Sequence, residues 1–263
     1  MIKRLFNRND NIAILIAGIF SIIIGLGVAR FAFTGLIPAM LDDYLTIKFV
    51  GILASLNFAG YLSGSIFSIF VKDINFKVYL YRFGIFLAIS TTFILAYSDN
   101  NTLWMVGRVL AGFAGAMCLI VGTSIVMQKL TIKSKTKAMG IHFSGIGFSI
   151  LTTDLLARFV LSLNYTWRDS WAVLAVFAII LSLYSVYILS FDKEVKQNAV
   201  KVKFDISIFT PFVIVLIIAY FTEGVGFVVQ ATFLPDIINN LKGLEGYGRL
   251  TWTLVGGAGS SSF

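Results

Sequence analysis

The chain alternates between long apolar stretches and short polar connections. Seven stretches are long enough to cross a bilayer, which takes about 20 helical residues. They cover approximately residues 11–41, 49–71, 78–97, 103–128, 138–163, 171–191 and 206–238. An eighth begins near Tyr247 and has about 17 residues where the sequence ends at Phe263, fewer than a span needs. The pattern predicts an all-α membrane protein with seven spans and part of an eighth, which we expect to be cut off mid-helix.

The first and seventh stretches share a pattern of small and turn-forming residues. Allowing a two-residue gap, the shared positions are Gly25 with Gly224, Gly27 with Gly226, Thr34 with Thr232 and Pro38 with Pro235. One type of helix used twice indicates two related halves. We therefore predict a six-helix half at residues 1–192, a basic cytoplasmic linker at 193–205 and the start of a second half at 206–263.

Composition and charge agree with a polytopic membrane protein. Apolar residues make up 58% of the chain and charged residues 13%, values that water-soluble domains do not reach. With the N-terminus placed inside, 14 lysines and arginines fall on the inner side and four on the outer side. The positive-inside rule therefore predicts a cytoplasmic N-terminus. The net charge of +8 comes from these short loops, so we do not expect a nucleic-acid partner.

The motifs of several enzyme classes are absent from the sequence. It contains no G-x-x-x-x-G-K-[ST] for nucleotide hydrolysis and no H-E-x-x-H for a metalloprotease. Cys118 is the only cysteine and lies in an apolar stretch, which excludes sites of the paired-cysteine kind. We predict no enzyme activity, no cofactor and no metal. The single histidine, His142, is expected to be a packing residue.

Strongly ionisable residues inside the spans are the candidates for function. A helical rise of about 1.5 Å per residue places them in one layer, from the centre to the outer part of the membrane. Facing lipid would cost several kcal/mol each, so we expect them to share a polar site between the first, fourth, fifth and seventh spans. The candidates are Arg30, Arg108, Asp154, Arg158 and Glu223, and we add Gln230 of the seventh span.

Different roles remain open for these residues. Asp154 and Arg158 lie four apart on one helical face and can neutralise each other, so the pair is either structural or part of the site. Arg108 is either a cavity residue or a hydrogen-bond donor between helices. Arg30 and Glu223 lack a partner on their own helices, and we expect at least one of them to contact the substrate or a coupling ion.

Several strings of the chain resemble a known family. The Arg-x-x-x-Gly at Arg108 is similar to a fourth-helix motif of the major facilitator superfamily. The loop VKDINFKVYLYR lacks that superfamily's usual Gly-x-x-x-Asp-x-x-Gly-Arg, and we expect Asp73 with Lys77 or Arg82 to replace its charge pairing. The strings that resemble the YbfB/YjiJ-type group of bacterial members are GLGVARFAFTGLIPAM from Gly25, SLNFAGYLSGS from Ser55, HFSGIGFSI from His142, WRDSW from Trp167 and YFTEGVGFVVQATFLPDI from Tyr220.

The resemblance implies a fold, a location and a function. The fold would be that of the major facilitator superfamily, with the N-terminal six-helix half, helix 7 and part of helix 8, in a bacterial inner membrane. The function would be secondary transport of a small anionic or zwitterionic solute by alternating access, coupled to protons. Arg30 and Arg108 would attract the solute, and Glu223 or Asp154 would exchange the proton. The alternative is a membrane protein without transport activity, either sensor-like or the remnant of a disrupted transporter gene.

Overall fold

A computed structural model describes residues 6–41, 43–131, 135–190, 209–244 and 247–261, with backbone alone at 227–232, 235–236, 239, 249 and 260–261. The described residues are all-helical, as predicted, and contain no strand. The helices are α1 (Asn11–Leu41), α2 (Ile47–Phe70), α3 (Ile74–Tyr97), α4 (Asn101–Lys129), α5 (Lys135–Ser162), α6 (Trp167–Ile188), α7 (Pro211–Asn239) and α8 (Gly248–Ser261).

The first six helices are each long and apolar enough to cross a bilayer. In α7 the described side chains give a shorter apolar stretch, Pro211–Gly226, although the helix itself continues to Asn239. The predicted linker at 193–205 lies outside the described residues, so the division of the chain into two halves stays a prediction.

The first helix forms the centre of the bundle. In its most apolar window, 78% of the residues are buried, compared with 33% in α2. It is therefore surrounded by protein, whereas α2 presents most of its surface outward. This explains why α1 tolerates residues such as Ser21 and Thr34, whose side chains are both buried.

Two helices contain π-helical turns at places where they meet. These turns are Ile23–Phe31 in α1 and Met117–Val121 in α4. The Ser21 hydroxyl donates a hydrogen bond across the contact to the carbonyl of Cys118, at 2.9 Å. A Cβ atom on Gly25 would lie 2.3 Å from the Cβ of Cys118, so only glycine fits there. Since π-turns inside α-helices are frequent at functional sites, this contact directs attention to the centre of α1.

Glycines also bring α2 close to α4. A Cβ atom on Gly60 would lie 2.0 Å from the carbonyl oxygen of Val109, and one on Gly112 would lie 1.9 Å from the carbonyl oxygen of Asn57. Helices in lipid associate through such close packing, because lipid chains are as apolar as the side chains they contact. Gly60 and Gly64, four residues apart on α2, both face α4 and form such a close-packing face.

Polar side chains cap the helices at the two ends of the bundle. Asp73 accepts a hydrogen bond from the amide of Phe76, at 2.7 Å, and so caps α3. The expected pairing of Asp73 with Lys77 or Arg82 is not formed in the described residues. The ammonium of Lys77 donates to the hydroxyl of Ser124 instead, and the guanidinium of Arg82 donates to the hydroxyl of Ser190. The carboxylate of Asp73 therefore caps α3 and does not pair with Lys77.

The end of the bundle at which α1 finishes carries an aromatic cluster. The rings of Tyr44, Trp104 and Trp167 lie 5.2 to 5.9 Å apart. The indole of Trp167 donates to the carboxylate of Asp43, at 2.9 Å. Arg168 lies over the Trp167 ring, at 4.3 Å, and forms an ion pair with Asp99. The cluster joins three loops, and we call this side of the molecule the aromatic end.

The last two helices differ in how they pack. In α8, Trp252 is 2% exposed and contacts Phe31 of α1, with ring centroids 6.1 Å apart. A Cβ atom on Gly256 would lie 2.7 Å from the amide nitrogen of Leu151 in α5. In contrast, α7 mainly contacts α8 and the last turns of α1, and its described side chains from Phe221 to Gly226 are exposed.

The contact between α2 and α4 can be tested with glycine variants. We expect Gly60→Ala or Gly112→Ala to lower the free energy of unfolding by about 1–3 kcal/mol, because the new methyl group would overlap a backbone carbonyl. The change in stability is measured by heating each variant in detergent and using size-exclusion chromatography to quantify the folded protein that remains. Gly51→Ala is the matched control on α2, since its methyl group would contact nothing within 4 Å. Equal stability of all three variants would contradict the packing described.

Candidate functional site

Arg30 lies in the π-helical turn of α1, surrounded by aromatic rings. Its guanidinium carbon lies 4.3 Å from the ring centroid of Phe58, 5.4 Å from that of Tyr61 and 5.5 Å from that of Phe31. Cation–π attraction to rings at this distance stabilises the charge. In the part of the chain that the structure describes, Arg30 has neither a hydrogen-bond partner nor an ion-pair partner. The charge is held in place while its N–H donors remain available.

Arg108 lies on α4 and is 2% exposed. Its Nη1 donates to the carbonyl of Ala29 at 3.0 Å, and its Nε makes a longer contact of 3.5 Å with the carbonyl of Leu53. Its guanidinium carbon lies 4.3 Å from the ring centroid of Phe33. Arg108 therefore combines both roles left open by the sequence, because it donates hydrogen bonds between helices and also lines a cavity.

The two arginines share that cavity, which lies between α1, α2 and α4. Its volume is about 20 Å³, roughly the room that one water molecule needs. No carboxylate is present among its described lining residues. Two positive charges in a small, largely buried space without a counter-charge are unfavourable. The described lining residues are Arg30, Phe31, Phe33, Thr34, Ala54, Asn57, Phe58 and Arg108.

Asp154 and Arg158 form a separate group on α5. The Nε of Arg158 lies 2.9 Å from Oδ2 of Asp154, so the two charges do neutralise each other as their spacing predicts. The hydroxyl of Thr253 on α8 donates to the same carboxylate oxygen. Asp154 is 4% exposed, whereas Arg158 is 25% exposed. This pair faces the end of α1 and α8, and neither residue lines the cavity that Arg30 shares with Arg108.

The seventh helix does not join either group in the described structure. Glu223 is exposed on α7 and has no hydrogen-bond or ion-pair partner among the described residues. The side chain of Gln230 lies outside the described residues. The single cluster that we expected between four helices is thus not assembled here, because α7 packs against α8 and the last turns of α1.

His142 is a buried residue of the bundle. Its Nε2 lies 2.9 Å from the hydroxyl oxygen of Thr123. Its Nδ1 has no hydrogen-bond partner among the described residues and lies over Gly18, 2.6 Å from where a Cβ atom on that glycine would be. Because the ring fills the space above a glycine, these contacts are those of the packing residue that the sequence predicts.

The second helix contributes site residues that sequence analysis missed. It contains no strongly ionisable residue within its span, so we assigned it no role. Asn57 nevertheless lines the cavity, and its side-chain amide donates to the carbonyl of Arg108 at 3.1 Å. Phe58 lies closest to the guanidinium of Arg30. The sequence signal that could have identified them is the amide of Asn57 within an apolar stretch, with the aromatic residues Phe58 and Tyr61 close behind it.

Comparison with known proteins identifies the family. The family model described as uncharacterised MFS-type transporter YbfB matches residues 22–262. The chain belongs to the major facilitator superfamily. A curated relative, the TsgA homolog of Buchnera aphidicola subsp. Baizongia pistaciae (strain Bp), is 23% identical over 161 residues. That match covers 60% of this chain and 41% of the relative, so the chain spans less than half the length of the curated relative it matches.

Family membership confirms the broad predictions. The protein is a multi-pass membrane protein of a transporter family. All six candidate residues lie inside the matched region.

The two arginines should contribute differently to stability. We expect Arg108→Gln to lower the free energy of unfolding by about 2–3 kcal/mol, since hydrogen bonds to charged groups and their buried acceptors are lost. Arg30→Gln should have a smaller effect, because it removes only aromatic contacts while also removing a charge without a counter-charge. Denaturant or thermal unfolding of the purified variants measures both. A larger loss for the Arg30 variant would contradict this assignment.

Proposed function

We propose that the protein binds a small anionic solute between Arg30 and Arg108 and transports it by alternating access, coupled to protons. The observation that carries the proposal is the pair of guanidinium groups on one cavity whose described lining contains no carboxylate. A bound anion would supply the missing counter-charge. The family supports the general part of the proposal, because its members are transporters.

The geometry of the guanidinium groups favours a carboxylate or phosphate group. An aromatic ring covers a face of each group, at 4.3 Å in both cases. The N–H donors lie in the plane of the guanidinium, so they point away from the rings and can bind two oxygen atoms of one anion. Thr34 and Asn57 are the neutral polar residues of the lining. An anion fits this set better than a zwitterion, since no described lining residue carries a negative charge to balance an ammonium group.

The small volume of the cavity fits a closed state of a transport cycle. A space for roughly one water molecule does not hold an organic solute, so binding requires α1 to separate from α2 and α4. The π-helical turns at Ile23–Phe31 and Met117–Val121 are suited to such a movement. They already depart from regular α-helix, and a shift of one turn between two helical registers alters few hydrogen bonds.

For the coupled proton we propose Asp154 as the acceptor. It is a buried acid, and its charge is balanced by Arg158 alone among the described residues. Protonation would cancel the attraction and release Arg158, which links a proton to a local rearrangement. Glu223 is the second candidate, because it is the acid of α7 at membrane depth. Gln230 remains a proposed solute contact. We place the protein in a bacterial inner membrane with its N-terminus in the cytoplasm.

Anion binding can be tested by thermal unfolding of the purified chain. We expect millimolar benzoate, succinate or inorganic phosphate to stabilise the protein, whereas benzamide, the neutral analogue of benzoate, does not. A ligand at 100 times its dissociation constant stabilises by about 2.7 kcal/mol. Arg30→Gln should remove most of the effect and Arg30→Lys should retain more of it. Stabilisation as large in Arg30→Gln as in the unchanged protein would contradict the site, and binding without uptake into proteoliposomes would favour a sensor-like protein.

Proton coupling can be tested in proteoliposomes that contain the active anion. An inward proton gradient should increase uptake, and Asp154→Asn should remove this increase while leaving exchange of labelled for unlabelled solute in place. Glu223→Gln is the comparison variant, because it removes the acid that is the second candidate. If Glu223→Gln abolishes the response to the gradient and Asp154→Asn does not, Asp154 is not the proton acceptor.

A further inference from the structure

A second cavity lies between the last turns of α1 and α5. Its volume is about 230 Å³, more than ten times that of the cavity at Arg30. A dry cavity of about 150 Å³ holds a benzene molecule, so this one has room for a small organic anion. Its described walls include Gly35, Pro38 and Ala39 on α1 and Arg158, Leu161 and Ser162 on α5. Arg158 is the charged residue of these described walls.

The protein satisfies only part of the guanidinium of Arg158. An arginine carries five N–H donors. In the described structure, Arg158 makes one ion pair, with its Nε 2.9 Å from Asp154, yet both Nε and Nη2 are buried without a hydrogen-bond partner. The carboxylate oxygen beside Nε accepts its hydrogen bond from Thr253. The guanidinium of Arg158 is therefore paired by charge alone, and its N–H donors lack an acceptor among the described residues.

The position of this cavity suits a solute that moves along α1. Gly35 to Ala39 follow Arg30 by five to nine residues, which corresponds to roughly 8–13 Å along a helix, toward the aromatic end. Gly35, Pro38 and Ala39 lie on the face of α1 that is turned toward α5, next to the face with Arg30 that is turned toward α2 and α4. An anion that leaves Arg30 in this direction would next meet the positive charge of Arg158.

We propose that Arg158 forms a second anion site, at which the carboxylate or phosphate group of the solute rests between Arg30 and the aromatic end. This inference rests on the proposed function, since it assigns a further step to the same solute. The charge of Asp154 keeps the guanidinium beside the cavity, and the donors that lack an acceptor among the described residues bind the solute when it enters. Arg158 differs from Arg30 in having this protein carboxylate beside it, so we expect weaker binding at the second site.

Cysteine labelling tests the site in the full chain. The buried Cys118 is replaced by alanine, and Ser162→Cys places a thiol on the cavity wall. Its rates of reaction are measured with the negatively charged sulfonatoethyl methanethiosulfonate and with the positively charged trimethylammonioethyl methanethiosulfonate. We expect a preference for the negative reagent that falls about tenfold in Arg158→Gln, a size typical of one charge at close range. Arg158→Lys should retain most of it, and this variant also controls for loss of folding.

Competition separates this site from the one at Arg30. Millimolar benzoate should slow labelling by the negative reagent, and it should do so also in the Arg30→Gln variant. A labelling preference unaffected by Arg158→Gln would overturn the second site, whatever happens at Arg30. Benzoate stabilisation that is undiminished in Arg30→Gln would overturn the proposed function instead. If anionic phosphatidylglycerol in nanodiscs slows the labelling and benzoate in detergent does not, the cavity takes a lipid headgroup and the proposed solute site is wrong.

Discussion

A buried positive charge without a counter-charge among the described residues is the constraint around which this bundle is built. Arg30 and Arg108 lie on one small cavity, and the described lining offers them aromatic faces, an amide, a hydroxyl and backbone carbonyls, but no carboxylate. Arg108 donates to carbonyls of the neighbouring helices, and among the described residues Arg30 is held by aromatic rings alone. A charge at membrane depth is expensive and is retained for function. The arrangement therefore favours a mobile anion as the missing partner.

The close approach of the helices makes this arrangement possible. Gly60 and Gly112 let α2 and α4 touch through their backbones, which brings the carbonyl of Leu53 toward Arg108 and Phe58 toward Arg30. On the other side, Gly25 lets the π-helical turns of α1 and α4 meet. The residues that stabilise the bundle thus also fix the positions of both guanidinium groups, so packing and binding cannot be separated at this place in the fold.

The sequence predicts the helices well, because the length of each apolar stretch determines them, whereas the depth of the charges in the membrane stays a prediction. It does not predict which way each side chain faces. The π-helical turn at Ile23–Phe31 changes the directions in which the side chains around Arg30 point. In the sequence, this turn is indicated only by its two glycines. Asn57 was missed because an amide carries no charge. Asp73 was assigned to a charge pair although its position before α3 is that of a helix cap. The placement of Glu223 depends on contacts of α7 with distant parts of the chain, which no local pattern encodes.

The most direct test of the anion site is anomalous diffraction from crystals of the protein soaked in bromide. Bromide is a small monatomic anion that can be located by its own signal. We expect a bromide peak between the guanidinium groups of Arg30 and Arg108 that disappears in Arg30→Gln crystals. Bromide peaks elsewhere with none at this cavity, or a carboxylate of the chain itself bound to Arg30, would contradict it.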